Sequence, residues 1–269
     1  MKTKAILIGL AIGLCSITNA QDAEESDVLT NKQGAAILPE TGDWALGFDA
    51  VPLLNYAGNM FNGNTGNTMN AAWDNSNMAI TGKYFVDATT AYRGSLRLAM
   101  ASTAASTLTD TSTSGEPSYI EDISNTSANV IVIGGGMEFR KGHGKVQGYY
   151  GGEVLIAMGG SSTSESYGLD LSDTNPFSRI VSTESGSTFG LSIRGFIGVE
   201  YFIIPKISIG AEYGWGLGFM SMGEGSATTD SWDMADSKVV TTTTTTGGSS
   251  AFGIDNDNNG GSIRLLFHF

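Results

Sequence analysis

The chain has 269 residues, among them 37 glycines, 5 prolines and a single cysteine, and only 15% of its residues are charged, against roughly 25% in ordinary soluble domains. The lone cysteine excludes a disulfide scaffold and a cysteine-based zinc site. The 27 acidic residues outnumber the 14 basic ones, which argues against a nucleic-acid-binding protein because such a protein needs a basic face. The mean hydropathy of -0.01 argues against a helical membrane protein, so the composition favours an all-β fold.

The first twenty residues follow the order of a secretory signal peptide. A lysine-bearing start is followed by a short apolar run at residues 5–15 and by the small residue Ala20 at the cleavage point. The run is too short to cross a bilayer as a helix, which takes about 20 residues. The alternative is a lipoprotein anchored at Cys15, but cleavage would then follow the bulky Leu14.

Segments in which apolar and polar residues alternate predict β-strands with one apolar and one polar face. Between Thr188 and Phe202 the odd positions are mostly large and apolar, whereas the even positions include Arg194 and Glu200. At residues 207–219 large residues alternate mainly with glycines. Such small residues suit a narrow enclosed interior, which favours a closed barrel over a soluble sandwich.

Applied to the whole chain, the same test predicts eight strands, at residues 43–56, 77–86, 91–101, 128–139, 146–158, 188–202, 206–220 and 261–269. Their connections alternate strictly between short turns and long loops, the long ones lying at 58–75, 102–127, 159–187 and 221–260. This alternation is typical of a membrane barrel with periplasmic turns and extracellular loops. We therefore predict an all-β, antiparallel, up-and-down transmembrane β-barrel of eight strands over 42–269, after a signal peptide at 1–20 and a periplasmic leader at 21–41.

Ten charged residues share the polar face of the predicted strands and would line the interior, namely Asp49, Lys83, Arg93, Arg97, Glu138, Glu153, Arg194, Glu200, Glu212 and Arg264. Five are acids and five are bases, so the predicted lumen is formally neutral. An eight-stranded barrel is filled by its own side chains, and an unpaired buried charge costs several kcal/mol. The balance therefore predicts a salt-bridge network that plugs the interior, with a gated pore or proton path as the alternative.

The remaining charges are divided between the two kinds of connection. The long loops carry fifteen acids against Arg179 and Lys238, whereas the short turns carry the bases Arg140, Lys141, Lys145 and Lys206. The sequence thus predicts an acidic external crown and a basic periplasmic rim. Solvation of exposed loops explains the crown on its own; the alternatives are gathering of divalent cations beside lipopolysaccharide and steering of a basic partner.

The chain ends in an alternating segment in which Ile263, Leu265, Phe267 and Phe269 share one face. An apolar strand with a terminal aromatic residue resembles the signal that outer-membrane proteins present to the barrel assembly machinery. We predict that these four residues form such an assembly signal. The aromatic end also fits an interfacial girdle, which Trp44, Tyr84, Tyr92 and Tyr201 would join at the periplasmic level.

The sequence nominates no catalytic constellation. The glycines at 134–136 lack the spacing of a nucleotide-binding loop. Both histidines, His143 and His268, are predicted far from the external loops, where outer-membrane hydrolases activate a hydroxyl or water beside a carboxylate.

A metal site is predicted only as an alternative. Asp255, Asp257 and Asn259 resemble the first half of a calcium loop, because oxygen ligands alternate before a glycine. The twelfth position of that loop is Leu266 rather than a bidentate glutamate, which excludes a complete calcium hand. We therefore predict a hydrophilic turn and no cofactor, with Ca²⁺ at the external loops as the alternative.

Several stretches resemble small outer-membrane β-barrel proteins of Bacteroidota, which are built like OmpA/OmpX-type barrels. They are Ile37–Glu40, Gly42–Gly47, Leu54–Asn59, Tyr201–Gly210 and Glu212–Gly216. The resemblance covers most of the strands but not the long loops. It implies an eight-stranded barrel in the outer membrane and carries no assigned activity, so no site residue follows from it.

Together these features predict an integral protein of the cell outer membrane with a structural, surface-interaction or accessory role in the envelope, and not an enzyme. The expected partners are outer-membrane lipid and lipopolysaccharide, the barrel assembly machinery and an envelope protein, with no nucleic acid. A narrow channel or small-solute transporter through the charged lumen is the alternative. A membrane-embedded enzyme ranks third.

Overall fold

The computed structural model describes residues 29, 30, 32, 34, 36–50, 54, 80–110, 118–142, 144–256 and 262–269, with the backbone alone at 255 and 256. Its twelve elements are all β-strands. They are β1 (Trp44–Asp49), β2 (Ile80–Phe85), β3 (Thr90–Asp110), β4 (Tyr119–Lys141), β5 (Val146–Ser166), β6 (Arg179–Glu184), β7 (Thr188–Ile204), β8 (Ile207–Met222), β9 (Gly225–Asp233), β10 (Lys238–Thr246), β11 (Ser249–Asn256) and β12 (Ser262–His268). No helix in the described part of the chain has the length and hydropathy to cross a bilayer.

All twelve strands belong to one antiparallel sheet that curls partly into a ring. Strand β1 pairs with both β2 and β12, and the pairing continues through β3, β4 and β5 to β7 and β8. Strand β8 pairs with β12 near the short turns and with β11 farther along its length. Strands β6, β9 and β10 extend the sheet from the far end of β5.

The predicted all-β antiparallel architecture is confirmed, and the eight predicted strands correspond to β1, β2, β3, β4, β5, β7, β8 and β12. The prediction of long loops at 102–127, 159–187 and 221–260 is wrong for most of their described residues. The exception is the threonine run at 241–246, for which the sequence predicts an extended loop or a strand extension and which lies in β10. The register of β3 with β4 continues without a break from Ala101↔Ala128 to Asp110↔Tyr119. Strands β6, β9, β10 and β11 also form within the predicted loops.

Serine and threonine account for this continuation of the strands. β-Branched threonine favours extended backbone, and hydroxyl pairs across neighbouring strands add stability. The Thr126 and Thr163 hydroxyls hydrogen-bond across β4 and β5, and those of Thr228 and Thr243 do so across β9 and β10. With 21 residues, β3 is roughly 70 Å long, about twice what a membrane-spanning strand needs. We call β6, β9 and β10, together with the ends of β3, β4 and β5 that continue beyond the ring, the external sheet.

Alternation along β7 separates an inner from an outer face. Phe196, Glu200 and Phe202 are buried, whereas Ile197 and Val199 between them are 65% and 46% exposed. We call the side with the buried glutamates the inner face. The large apolar residues of the outer face therefore contact the surroundings rather than a protein core.

The inner face depends on glycines where neighbouring strands carry large side chains. A Cβ at Gly136 of β4 would lie 2.7 Å from Cα and Cβ of Glu153 on β5, which is closer than real Cβ contacts. At Gly135, whose Cβ would point to the outer face, nothing lies within 4 Å. These two adjacent glycines thus differ in whether the fold tolerates a methyl group.

The short-turn end is closed partly by the segment that precedes β1. Ile37 is buried there, and its carbonyl accepts a hydrogen bond from the Lys206 N–H. The Lys206 ammonium forms an ion pair with Asp43. Burial raises the pKa of Asp43, but the hydrogen bonds from Lys206 and from the Glu40 N–H outweigh burial, so this pKa lies below its ordinary value.

Several sequence predictions lie outside the described residues. They are the signal peptide at 1–20 with Cys15, most of the leader at 21–41 and the long loop at 58–75. Asp257, Asn259 and His143 also lie outside them. Each of these remains a prediction from the sequence.

We expect Gly136→Ala to destabilise the protein and Gly135→Ala to leave it nearly unchanged. The added methyl group at Gly136 must displace the β5 backbone beside Glu153, and such overpacking costs about 1–3 kcal/mol. Equilibrium urea unfolding of both variants measures the difference. Equal free energies of unfolding would show that the inner face has room that the structure lacks.

Candidate functional site

The inner face of the ring carries a cluster of buried charges near the short turns, which we call the turn-side cluster. Lys83 Nζ lies 2.8 Å from Glu138 Oε1 and 3.2 Å from Glu200 Oε2. Arg140 reaches the same two carboxylates, at 3.4 Å and 3.2 Å. Both glutamates are fully buried, so the two bases supply the charge that their burial requires.

Ser208 and His268 complete the turn-side cluster on the other side of Glu200. Ser208 Oγ donates a hydrogen bond to Glu200 Oε1 at 2.6 Å. His268 Nε2 lies 3.0 Å from Ser208 Oγ and 3.0 Å from Glu200 Oε1. In a catalytic triad the serine and the carboxylate bind opposite ring nitrogens. Here both approach Nε2, which makes the arrangement a hydrogen-bonded packing cluster rather than an activated serine.

A second group of charges, the loop-side cluster, lies closer to the external sheet. Arg93 binds Glu212 in a bidentate manner, at 2.5 Å and 3.0 Å, and forms an ion pair with Glu153 at 3.2 Å. Arg194 Nη1 lies 2.8 Å from a carboxylate oxygen of each of these two glutamates. Arg264 adds a further ion pair to Glu212 at 3.3 Å.

The two clusters form one continuous network. Arg93 Nη1 also lies 3.8 Å from Glu138 Oε2, which joins the loop-side to the turn-side cluster. Aromatic rings fill the space between the charges: the Arg93 guanidinium lies 4.1 Å from the ring centre of Phe196, and Lys83 Nζ lies 4.8 Å from that of Tyr149. The interior at this level is thus packed with side chains from opposite walls of the ring.

The structure brings together eight of the ten residues predicted to line the interior, namely Lys83, Arg93, Glu138, Glu153, Arg194, Glu200, Glu212 and Arg264. The other two, Asp49 and Arg97, are half-buried at the margin of the network. Asp49 is opposite Arg264 in the register of β1 with β12, and Arg97 lies two residues beyond Ser95 on the inner face of β3.

The prediction that Arg140 belongs to a basic rim of short turns is wrong. The sequence predicts a short turn at Arg140, but β4 continues to Lys141 and Arg140 is buried in the turn-side cluster. Arg140 is two residues from Glu138 and so has the same strand parity. His268 is also buried in the interior, where the sequence analysis did not include it, although it lies in the predicted strand 261–269 and shares parity with Arg264 on β12.

The clusters are slightly basic rather than neutral. Their bases are Lys83, Arg93, Arg140, Arg194 and Arg264, and their acids are Glu138, Glu153, Glu200 and Glu212. Five bases against four acids leave a formal charge of +1 with His268 neutral. The half-buried Asp49 and Arg97 cancel each other, so the predicted neutrality is wrong by the one charge of Arg140.

The acidic residues of the external sheet are bound mostly to hydroxyl and N–H groups. The Trp232 indole N–H donates to Asp173 at 2.8 Å, and the Thr241 hydroxyl donates to Asp230 at 2.6 Å. Within the described ranges, no three histidine, cysteine or acidic side chains converge as a metal site would require. Of the calcium candidates, only the backbone of Asp255 is described; it pairs with Gly216 in β8.

Comparisons of the chain with protein-family models, with curated proteins and with solved structures found no match. The function must therefore be inferred from the two faces of the sheet. These are the buried ion-pair network on the inner face and the exposed apolar residues on the outer face.

We expect Glu200→Gln to lower the free energy of unfolding by about 3–5 kcal/mol, because it leaves Lys83 and Arg140 buried with less compensating charge. Glu121→Gln is the matched control, since Glu121 is an exposed residue of the external sheet. A surface substitution of this kind changes stability by only about 0.5 kcal/mol. Denaturant titration of both variants checks the prediction. Equal losses in the free energy of unfolding would mean that Glu200 contributes no more to stability than an exposed acidic residue.

Proposed function

We propose that this chain is an integral outer-membrane β-barrel protein, closed inside by its ion-pair network, whose external sheet makes structural or accessory contacts at the cell surface. The observation that carries the proposal is that charged side chains are buried while large apolar side chains are exposed, the reverse of a soluble protein. Glu200 is fully buried, whereas Ile197 and Val199 on the same strand are exposed. A soluble protein normally buries the isoleucine and exposes the glutamate.

The strand pairings support an eight-stranded barrel. Followed in the order β1, β2, β3, β4, β5, β7, β8 and β12, each strand hydrogen-bonds to the next, and β12 pairs back with β1. A bilayer core offers no water to unpaired backbone groups, so a spanning sheet must have no free edge. In the described sheet the end strands are β10, which belongs to the external sheet, and β11, which lies beside Trp215–Met222 of β8.

The dimensions of the apolar outer face support insertion in a membrane. Along β7 the outward apolar residues extend from Phe189 to Ile203. This is a rise of about 48 Å along the strand, or about 34 Å across a bilayer at the ~45° tilt usual for membrane strands. The hydrocarbon core of a bilayer is about 30 Å thick, so the apolar face is tall enough to span such a core.

Aromatic residues at the short-turn end support the same orientation. Trp44, Tyr92 and Tyr201 are exposed there, and the rings of Trp44 and Tyr84 are 4.8 Å apart. Aromatic girdles of this kind mark the membrane interfaces of outer-membrane barrels. The predicted signal peptide, the C-terminal aromatic strand and the resemblance to small barrels of Bacteroidota all agree with export to the outer membrane.

The packed interior favours a closed protein over a channel. Barrels with an aqueous pore usually have roughly 16–18 strands, whereas eight strands enclose little more than their own side chains. Bidentate pairing of Arg93 with Glu212, and the position of Phe196 against Arg93, leave the loop-side cluster without an open axis. A narrow channel would require these contacts to open.

The external sheet offers an extended surface for contacts outside the membrane. Its strands are held by cross-strand hydrogen bonds and by the bond from Trp232 to Asp173, so it is an ordered sheet rather than a set of irregular loops. Its side chains are mostly acidic or hydroxylated. This surface fits a basic protein partner, or lipopolysaccharide bridged through divalent cations.

Replacing an outer-face residue by lysine tests membrane insertion. Ile197→Lys should cost about 2–4 kcal/mol, because it places a charge near the middle of the hydrocarbon core. Thr244→Lys on the exposed β10 is the control and should change stability by about 0.5 kcal/mol or less, because Thr244 is opposite Ala227. Unfolding of both variants from lipid vesicles gives the free energies. A cost for Ile197→Lys as small as that of the control would indicate that the outer face contacts water.

Affinity capture after cross-linking in intact cells tests the surface-contact role. The wild-type protein should recover one defined envelope component. The paired variant Asp170→Asn and Glu224→Gln, which lowers the negative charge of the external sheet, should recover several-fold less. Glu40→Gln, at the opposite end, is the control for charge alone. Recovery of the protein alone, or equal recovery with all three proteins, would contradict contacts through the acidic surface.

A further inference from the structure

A cavity of about 370 Å³ lies on the inner face beyond the loop-side cluster, toward the external sheet. Its wall is formed by β4, β5, β7, β8 and β11. Neither the ion-pair network nor the external contacts proposed above use this space. A volume at the lower end of the range for small-molecule sites suits one small ligand.

Strand register explains why the cavity wall is apolar. Val132, Ala157, Gly190, Met220 and Ala251 are consecutive partners across five strands and form one row. Val132 shares parity with Glu138, and Ala157 with Glu153, so the row lies on the inner face. It contains no charged or hydroxyl side chain.

The next row toward the charges is formed by Leu155, Ser192 and Gly218, which are also consecutive partners. A Cβ at Gly218 would meet only the Ser192 Cβ, at 3.9 Å, so glycine here leaves open space rather than avoiding a clash. The cavity therefore exists because small residues occupy the inner face between the ion-pair network and the external sheet. Among the described residues of the cavity lining, Ser192 brings the only side-chain hydroxyl.

Positive charge borders this apolar wall on two sides. Arg97 is the β3 partner of Val132 and so continues the first row at the same level. Arg194 follows Ser192 on the same face of β7, and with 14% of its side chain exposed it is the most accessible cation of the network. An apolar wall bordered by two guanidinium groups matches a molecule with a hydrocarbon chain and an anionic head.

We propose that this cavity binds a single-chain anionic amphiphile of the fatty-acid class. Its chain lies along the row from Val132 to Met220 and its carboxylate lies toward Arg97 or Arg194. A volume of about 370 Å³ is at the lower end of the range for small-molecule sites, which favours one medium-length chain over a two-chain lipid.

The test uses the full mature chain in lipid nanodiscs and a dodecanoic acid that carries a photoactivatable diazirine on its chain. After illumination, mass spectrometry locates the labelled peptides. Unlabelled dodecanoate and dodecyltrimethylammonium serve as competitors that differ in the charge of the head group. Labelling should be saturable and should map to the inner-face peptides around Val132, Ala157 and Met220.

Two variants fill the cavity without touching the ion-pair network. Ala157→Phe and Gly218→Leu should each lower labelling of the wall by about tenfold, the factor that 1.4 kcal/mol represents. Ile156→Phe is the matched control, because Ile156 is adjacent to Ala157 but faces outward. Retention of the folded band on unheated gels shows that each variant has folded, and having two filling variants keeps the test valid if one does not.

Loss of wall labelling in both filling variants, with dodecanoate competing and dodecyltrimethylammonium not, supports the proposal. Labelling confined to outward-facing peptides, or unchanged in the filling variants, overturns it. Equal competition by the cationic amphiphile overturns the role assigned to Arg97 and Arg194. Failure of the chain to enter nanodiscs would instead refute membrane insertion, and the cavity is then tested with the same probe on the protein in aqueous buffer.

Discussion

Four carboxylates are buried inside the ring of strands, and the need to compensate their charge constrains the rest of the structure. Removing one partner from such a group costs about 3–5 kcal/mol, which is comparable with the whole stability of many domains. The bases come from β2, β3, β4, β7 and β12, and the acids from β4, β5, β7 and β8. Several ion pairs, such as Lys83 with Glu200 and Arg93 with Glu212, therefore join strands that are distant in sequence. The network and the buried aromatic rings beside it, such as Phe196 and Tyr149, form the core of this part of the protein.

Other features follow from that core. Glycines such as Gly136 occupy the inner face because charged side chains from the neighbouring strand need the space. The large apolar residues are consequently left to the outer face, which is the distribution that a surrounding bilayer stabilises. Beyond the network the interior changes character, from ion pairs to the small apolar residues of the cavity wall. The external sheet then continues the same strands, held by backbone and hydroxyl hydrogen bonds rather than by buried apolar area.

Strand parity in the sequence was enough to predict much of the site. It placed Lys83, Glu138 and Glu200 on one face because each lies in a clear alternating segment, and ion pairing then follows from the narrow interior. Arg140 was missed because the predicted strand ended one residue before it. His268 has the parity of an interior residue, but it was considered only as a catalytic candidate. The extensions of β3 to β5 and strands β6, β9 and β11 were not predicted, since serine- and threonine-rich segments show no apolar alternation. Their pairing depends on neighbouring strands that only the folded chain brings together.

The claim that the network closes the interior can be tested by the accessibility of single cysteines to a membrane-impermeant maleimide. The only cysteine of the chain, Cys15, lies in the predicted signal peptide, so the mature chain offers a background without thiols. Ser192→Cys lies beside the cavity beyond the network, and Ser208→Cys replaces a fully buried residue within the turn-side cluster. We expect the thiol at position 192 to be labelled in the folded protein and the thiol at position 208 to be labelled only after unfolding. Rapid labelling at position 208 in the folded state would contradict a closed interior and favour a continuous aqueous path.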